Sequence, residues 1–477
     1  MPQRWLDVHR HGYGFEWLGG RRHGVGRLCT FLAPMTDTTR VPLLVGEVFV
    51  DFTITPPGTE NKLRLGGVAH AARGFWALGQ AFRAAVVIPS YLEQLTRDYF
   101  AKLGCVELVV LGIVTGAPNI TLIFDATEVA EQGYDTPLRD EKAVQLSDVS
   151  TALERAEDVL IFPGAFSLAD VCAMLPTTAR LHFDVAYDIE TPKTLAELNR
   201  SIETVLISTS SPLFAKTKDQ TLNGVAAAFA GCKPKYVVLK QNRGGTELLD
   251  CSSAAPHTEA LPAQLGTTIN SVGVGDVFAA AFLTALPEGA NTAGWRATYA
   301  AAAYSQTTYP DIFKKYVERD QSLSLDEMTS LWGTFLPWSA RPALQIYFAA
   351  PDFAKADRTA IDEALNALAY HNFAPRRPVV ENGELPPNSD TATLRTIYEK
   401  DCELLKKCTL VFAVPTERDP GTLVEIGLAI EAGIPVVTYD PSSKNNNTMV
   451  IAGSSFYSSD LDACLNATFQ LLSQRQK

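Results

Sequence analysis

The chain has 477 residues, 46% of them hydrophobic and 20% charged, with a formal net charge of −12. Its length exceeds one ordinary core and points to two or three domains, and its composition excludes a disordered or fibrous chain. The acidic balance, with no dense Lys/Arg stripe to offset it, excludes a nucleic-acid polymer as partner and leaves small neutral or phosphorylated metabolites.

Eight cysteines without a CxxC pair suit reduced thiols, so neither a disulfide framework nor a metal site is expected. No apolar run reaches the ~18 residues of a membrane span, and the cytoplasm is the expected location. Residues 1–34, with HRHGYGFEWLGGRRHGVGR, show no period and end just before Met35. We read 1–40 as an extension, either upstream of a start at Met35 or an Arg-rich organelle-targeting leader.

From Val41 onward the runs VPLLVGEVFVDF, AAVVIP, VELVVLGIV, DVLIFPGA, VLIST and YVVLK alternate with helical, Ala-rich stretches. Such alternation predicts an α/β domain with a mostly parallel sheet. SVGVGDVFAAAFLTAL sets a Gly-rich turn before an apolar helix, and further helices are predicted from Trp295 to Thr308 and over Leu325–Trp332. The prolines of LPWSARP interrupt the pattern, giving a first domain over 41–335, a linker over 336–342 and a second domain over 343–477. There the prediction is strand Leu344–Ala349, helices Ala356–Tyr370 and Ala392–Lys407, strand Thr409–Val414, helix Leu423–Ala432 and strand Ile434–Tyr439. This is a small doubly wound, Rossmann-like or flavodoxin-like α/β domain, with function expected in the loops after Ala349, Val414 and Tyr439.

In the first domain, Gly273, Val274 and Gly275 expose backbone N–H groups at a helix start, an anion hole for a transferred phosphate. Asp276 stands beside it to take the proton of an attacking hydroxyl. This segment resembles the signature of the PfkB/ribokinase family of sugar and nucleoside kinases. GEVFVD, with Asp51 as a sugar-hydroxyl acceptor, LGGVAHAARGFWALG, with Gly66 and Gly67, and HFDVAYD support it. The resemblance implies a ribokinase-like fold using ATP and Mg²⁺. Three departures stand against activity: Ala71 where the family usually has Asn, no NxxE in ISTSSPLF, and LKQNRGG in place of TxGxxG. Two readings therefore stay open, an active kinase and a weakened ligand-binding or assembly module.

In the second domain, RDPGTLVEIGLAIEAGIPVV puts Asp419 in a loop, Gly421 at a close turn and Glu425 in the first turn of a helix. A carboxylate there is kept ionised by the helix N-terminus, as a nucleophile requires. Over about 343–450 the chain resembles the nucleoside 2-deoxyribosyltransferase family, through IYFAAPDF with Tyr347, YEKDCELLKKCTLVFAV with Asp401, DPGTLVEIGLA, and NNNTMV with Asn447. The resemblance implies Glu425 as nucleophile on the anomeric carbon and Tyr347 in the site. Asp401 is our candidate for the acid that protonates the departing base. By the same resemblance Asp419 and a neighbouring subunit's Asn447 hold the 5'-hydroxyl, so the protein would be a homo-oligomer. Its substrates would be a nucleoside or deoxynucleoside and a free nucleobase, with no cofactor.

Plain structural readings stand beside these. Asp401 can be a surface acid, Tyr347 a core aromatic, Asn447 a loop residue and Asp419 a helix cap. The family's base-contacting glutamine has no counterpart in PVVENGELPPNSD, and the chain ends QLLSQRQK without the aromatic terminus of some members. The leading expectation is a bifunctional nucleoside-salvage enzyme. The alternatives are a nucleosidase with a degenerate kinase domain and a non-catalytic nucleoside sensor.

Overall fold

The computed structural model describes residues 40–475, apart from 56–59, 187, 254, 354–355, 386–387 and 446. The readings made of residues 1–34 lie outside the described residues.

The first domain is built on β1 (Leu43–Thr53), β2 (Lys62–Gly67), β3 (Phe82–Pro89), β4 (Cys105–Thr115), β5 (Ile120–Ile123), β6 (Ala143–Leu146), β7 (Asp158–Ile161), β8 (Arg180–Asp184), β9 (Ile202–Ser208), β10 (Tyr236–Lys240), β11 (Thr246–Asp250) and β12 (His257–Leu261). They form one sheet in the order 12-11-10-9-8-7-1-3-4-6, with β2 and β5 paired to β1. From β10 to β4 every neighbour is parallel, whereas β6, β11 and β12 add on antiparallel. The central strands read as continuous apolar runs because both faces are covered. In β1, Leu44 and Val48 enter the core on one face and Leu43 and Val45 the core on the other. Helices α1 (Val68–Ala77), α2 (Val274–Ala285) and α3 (Ala290–Ser305) cover the first of these faces. The helix expected from Trp295 thus begins earlier, at Ala290.

The second domain carries β13 (Ile346–Ala349), β14 (Leu410–Ala413), β15 (Val436–Tyr439) and β16 (Phe456–Ser458), all parallel and in sequential order. Arg376 forms a parallel bridge to Tyr347 on β13, a rudimentary strand. Counting it, the order becomes 2-1-3-4-5, with the direction of winding reversing at β13. Helices α4 (Thr359–Tyr370), α5 (Pro378–Asn382), α6 (Thr391–Lys406), α7 (Pro420–Glu431), α8 (Thr448–Gly453) and α9 (Leu461–Arg475) complete it. Residues of α4 and α9 share a core with Ile346 and Phe348, and residues of α6, α7 and α8 share one with Tyr347 and Ala349. Strand alternation therefore aims Tyr347 at the layer that holds Glu425.

Between the two domains the proline-broken segment folds as a 3₁₀ turn, Trp338–Ala343, and it is anchored rather than loose. Arg341 is fully buried, and its guanidinium donates to the carbonyls of Leu336 (3.1 Å), Gln241 (2.8 Å) and His371 (3.2 Å). A side chain at Gly244 would put its Cβ 2.1 Å from Arg341 Nη2, so a glycine in LKQNRGG is what admits this arginine. Arg243 reaches across to α9, donating to Asp462 Oδ1 at 2.7 Å and Asn466 Oδ1 at 2.6 Å. Tyr370 at the end of α4 donates to Glu128 at 2.6 Å.

Candidate active sites

In the second domain, Thr422, Ile426 and Ala429 are the buried face of α7, and Glu425 falls on that same stripe. Asp419 caps the helix, its Oδ2 accepting from the Thr422 N–H (2.7 Å) and hydroxyl (2.9 Å), and Pro420 occupies the first helical position. Capping residue and proline start the helix earlier than the expected Leu423. This corrects the placement of Glu425, which lies in the second turn, beyond direct reach of the helix N-terminus.

Its ionisation is correspondingly different from the expectation. Burial, with the charges of Asp401 and Asp419 beside it, pushes the Glu425 carboxyl up to about 7, and the hydrogen bond from Tyr347 opposes that rise. The Tyr347 hydroxyl donates to Glu425 Oε1 at 2.6 Å. Burial and the charge of Glu425 raise the Tyr347 pKa, so the phenol keeps its proton and stays a donor.

Asp401, on α6, is also raised by burial, against a 2.7 Å hydrogen bond from Asn382 Nδ2. Asn382, which ends α5 within PVVENG, was not singled out from the sequence. An amide that can orient the acid has no local pattern to mark it, because the two meet only when α5 packs on α6. Tyr347, Asp401, Asp419 and Glu425 are thus brought together, and Asn447 is not. It is exposed and caps α8, accepting from the Met449 N–H at 2.9 Å. Of the two described asparagines of NNNTMV, the buried one is Asn445, which donates to the Pro415 carbonyl and ties the loop after β15 to the loop after β14.

A half-open cavity of about 400 Å³ lies at the carboxyl ends of the first domain's parallel strands, with His371 and Asn466 of the second domain also in its wall. Alternation along β1 brings Glu47, Phe49 and Asp51 to its wall, and Gly67, Asp184, Lys240 and the start of α2 line it too. Glu47 was not singled out either, although E-x-F-x-D repeats at the strand period. Its carboxylate is held by Lys142, the Ala165 N–H and Asn119. Burial would raise the Asp51 carboxyl, but His70, Arg64 and Arg73 outweigh it and hold the group below its usual range. Burial takes His70 down to about 4, so the 2.8 Å contact to Asp51 is a hydrogen bond from a neutral imidazole. Asp51 faces the cavity with one oxygen already engaged.

Gly67, at φ +59°, enters α1, and Gly273, at φ +81°, enters α2. Val274 and Gly275 then open α2, with Asp276 in its first turn. Burial and the neighbouring Asp184 push Asp276 up to about 8, in the range of a group that exchanges protons near neutrality. Ala71, where the family resemblance leads one to look for Asn, is fully buried in the core behind α1.

Two α/β domains, each with a raised acid near the carboxyl edge of a parallel sheet, point to an enzyme. Residues 346–465 match the family model described as nucleoside 2-deoxyribosyltransferase. Among solved structures, the chain is similar to a ribokinase of Giardia lamblia (14% identity, 59% of this chain and 99% of that one, TM-score 0.45). It is also similar to Arabidopsis thaliana ribokinase complexed with ribose and ATP (17%, 60% and 99%, TM-score 0.43). A third is a Methanocaldococcus jannaschii nucleoside kinase described as an archaeal member of the ribokinase family (12%, 59% and 99%, TM-score 0.41). No curated protein matched. Among the described residues no helix is long and apolar enough to cross a membrane.

Proposed function

We propose that the second domain cleaves or exchanges the N-glycosidic bond of a (deoxy)ribonucleoside, with Glu425 as nucleophile and Asp401 as acid. The observation that carries this reading is the Tyr347–Glu425 hydrogen bond at 2.6 Å, on a buried stripe of α7, beside a second acid that keeps its proton more readily than usual. Tyr347 fixes the carboxylate. Once ionised, Glu425 attacks the anomeric carbon as the C–N electron pair leaves with the base, and Asp401 gives its proton to a ring nitrogen of that base. A second base or water then takes the sugar from Glu425, and Asp401 recovers a proton. Asp419, and Asn447 from a second copy, bind the 5'-hydroxyl in this reading, which makes the working unit at least a dimer.

The test is to incubate the protein with a panel of nucleosides and deoxynucleosides, with and without a second base, and to separate the products by chromatography. Released base or an exchanged nucleoside is expected. If no member of the panel gives either, the proposal fails.

A second activity is favoured by the cavity of the first domain and by Asp276 at the start of α2. In this reading the domain phosphorylates a sugar or nucleoside hydroxyl from ATP, with Asp276, in its ionised form, accepting the hydroxyl proton as the new O–P bond forms and the bond to the leaving ADP breaks. The amide of Gly275 suits a phosphate of ATP, whereas the Val274 N–H, expected to share that role, already donates to the Ser271 carbonyl at 3.1 Å. The acids nearby suit Mg²⁺ poorly, since Asp184 is neutralised by Lys240 and Asp276 holds its proton up to about 8. With both activities in one chain, the protein would serve nucleoside salvage. Asp276→Asn should abolish any sugar phosphate formed with ATP while base release continues.

A further inference from the structure

One wall of the first-domain cavity is a loop that the second domain holds in place. The chain leaves β5 at Ile123 and winds around Asp125. Asp125 Oδ1 accepts from the Thr127 N–H at 2.8 Å and the Glu128 N–H at 3.2 Å, and Oδ2 accepts from the Val129 N–H at 2.8 Å. This winding puts Glu128 at φ +56°, a conformation that costs free energy in a residue with a side chain and persists only where its surroundings fix it. On the first-domain side, the Ser271 N–H donates to the Ala126 carbonyl at 2.6 Å, just ahead of α2. On the other side, the Tyr370 hydroxyl donates to Glu128 Oε1 at 2.6 Å, and Val129 packs with Leu265 against the second-domain core around Ile346 and Phe348. Arg243 joins the two, donating to the Glu128 carbonyl at 3.2 Å as well as to Asp462 and Asn466 on α9.

Asn242 Nδ2 also donates to Glu128 Oε1, at 3.2 Å, so both hydrogen bonds to the carboxylate fall on one oxygen. Glu128 is half-buried and lines the cavity, which leaves Oε2 as the oxygen open to a ligand. Burial pushes the Glu128 carboxyl up, and the hydrogen bond from Tyr370 and the charge of Arg243 oppose that rise, so the second domain's phenol favours the acceptor form. The charge of Arg243 is met by Asp462. This end of the cavity therefore offers an acceptor without an uncompensated cation, which suits an uncharged donor and not an anion. We propose that the cavity is a composite site, in which Glu128, set by Tyr370 of the second domain, accepts from a hydroxyl or amino group on the uncharged part of a nucleoside, nucleotide or sugar. Binding in the cavity and docking of the two domains then strengthen each other, because whatever Tyr370 adds to ligand affinity the ligand adds to docking.

This inference rests on the first domain binding a small molecule, and neither on phosphoryl transfer nor on Glu425. A protein that makes sugar phosphate equally well with Tyr370→Phe would sink it and leave the kinase reading standing, whereas binding without transfer would do the reverse. Full-length Glu425→Gln protein, in which the second site consumes no nucleoside, would be titrated by calorimetry with adenosine, ATP with Mg²⁺, and ribose, which tells the three sources apart. At least one probe should bind, and Tyr370→Phe and Glu128→Ala should each weaken it by at least about fivefold. Together they should weaken it no more than Glu128→Ala alone, since Tyr370 acts through that carboxylate. Binding at the second site would not respond to Glu128→Ala. Hydrogen exchange supplies a readout that needs no ligand: Tyr370→Phe should speed exchange of the Val129 and Ala130 amides by at least about tenfold and leave β1 protected. Adding the bound probe should slow exchange of the same amides. Affinities unchanged by either substitution, losses that add in the double variant, loop exchange indifferent to Tyr370→Phe, or no binding by any probe would overturn the proposal.

Discussion

The two sites both hold a carboxyl group shifted toward neutrality, and they reach that state by different routes. Asp276 opens a helix in the wall of a half-open cavity, where burial and the charge of Asp184 hold its proton up to about 8 although the helix N-terminus favours the anion. Glu425 sits a turn deeper in its helix, on the buried stripe, where burial and two neighbouring acids take it to about 7 and a tyrosine hydrogen bond pulls the other way. The first acid is tuned by a lysine–aspartate pair contributed by two strands, the second by a single phenol on one strand. An acid's distance from a helix end is therefore a poorer guide to its charge than the company its burial brings.

Breaking the second site should have the largest effect. Glu425→Gln is expected to cut base release or exchange by at least about 10³-fold with no loss of melting temperature, measured by initial rates. Next comes the joint that holds both regions together. Arg341→Ala removes the donor to three carbonyls in the core of the molecule, and unfolding by denaturant should show a loss of about 3 kcal/mol.

Tyr347→Phe sharpens the contrast between the sites, because it removes the one group that lowers the Glu425 pKa. The rate should fall by about tenfold. The acidic limb of the pH–rate profile, which in wild type falls as pH drops through about 7, should move to higher pH. Asp276→Asn should leave that limb where it is. Mixing Glu425→Gln with Asn447→Ala protein should restore part of the activity that each lacks alone, if one copy lends its asparagine to another. Activity no greater than the sum of the two would argue for sites complete within one chain.

The smallest effect concerns stability. Glu425 has a folded pKa above its unfolded value, so its contribution is fully present below about 4.5 and is lost as pH rises through about 7. Glu425→Gln should therefore raise the melting temperature more at pH 8 than at pH 5.

Much of this was legible in the chain itself. Runs of β-branched residues alternating with Ala-rich stretches announced two α/β layers, and the glycines before FAAAF announced a helix start open to anions. Tyr347 and Asp401 could be picked out only through the resemblance of IYFAAPDF and YEKDCELLKKCTLVFAV to a known family, and Glu425 through that resemblance and its place near a helix start. The start of α7 was misjudged because a capping Asp and an N1 Pro extend a helix beyond the apolar repeat that signals it.

What tertiary structure alone decided is which charges meet. Lys240 and Asp184 are 56 residues apart and join only because β8, β9 and β10 align in parallel register. Arg341 looks in sequence like a linker residue, and becomes the buried tie between Gln241 and His371 only when both domains close on it. Glu425 reads as an ionised first-turn acid until the packing of α7 removes its water. Periodicity tells a residue which face it occupies, while pKa and ion pairing depend on what the opposite face brings, and that is set by the docking of elements distant in the chain.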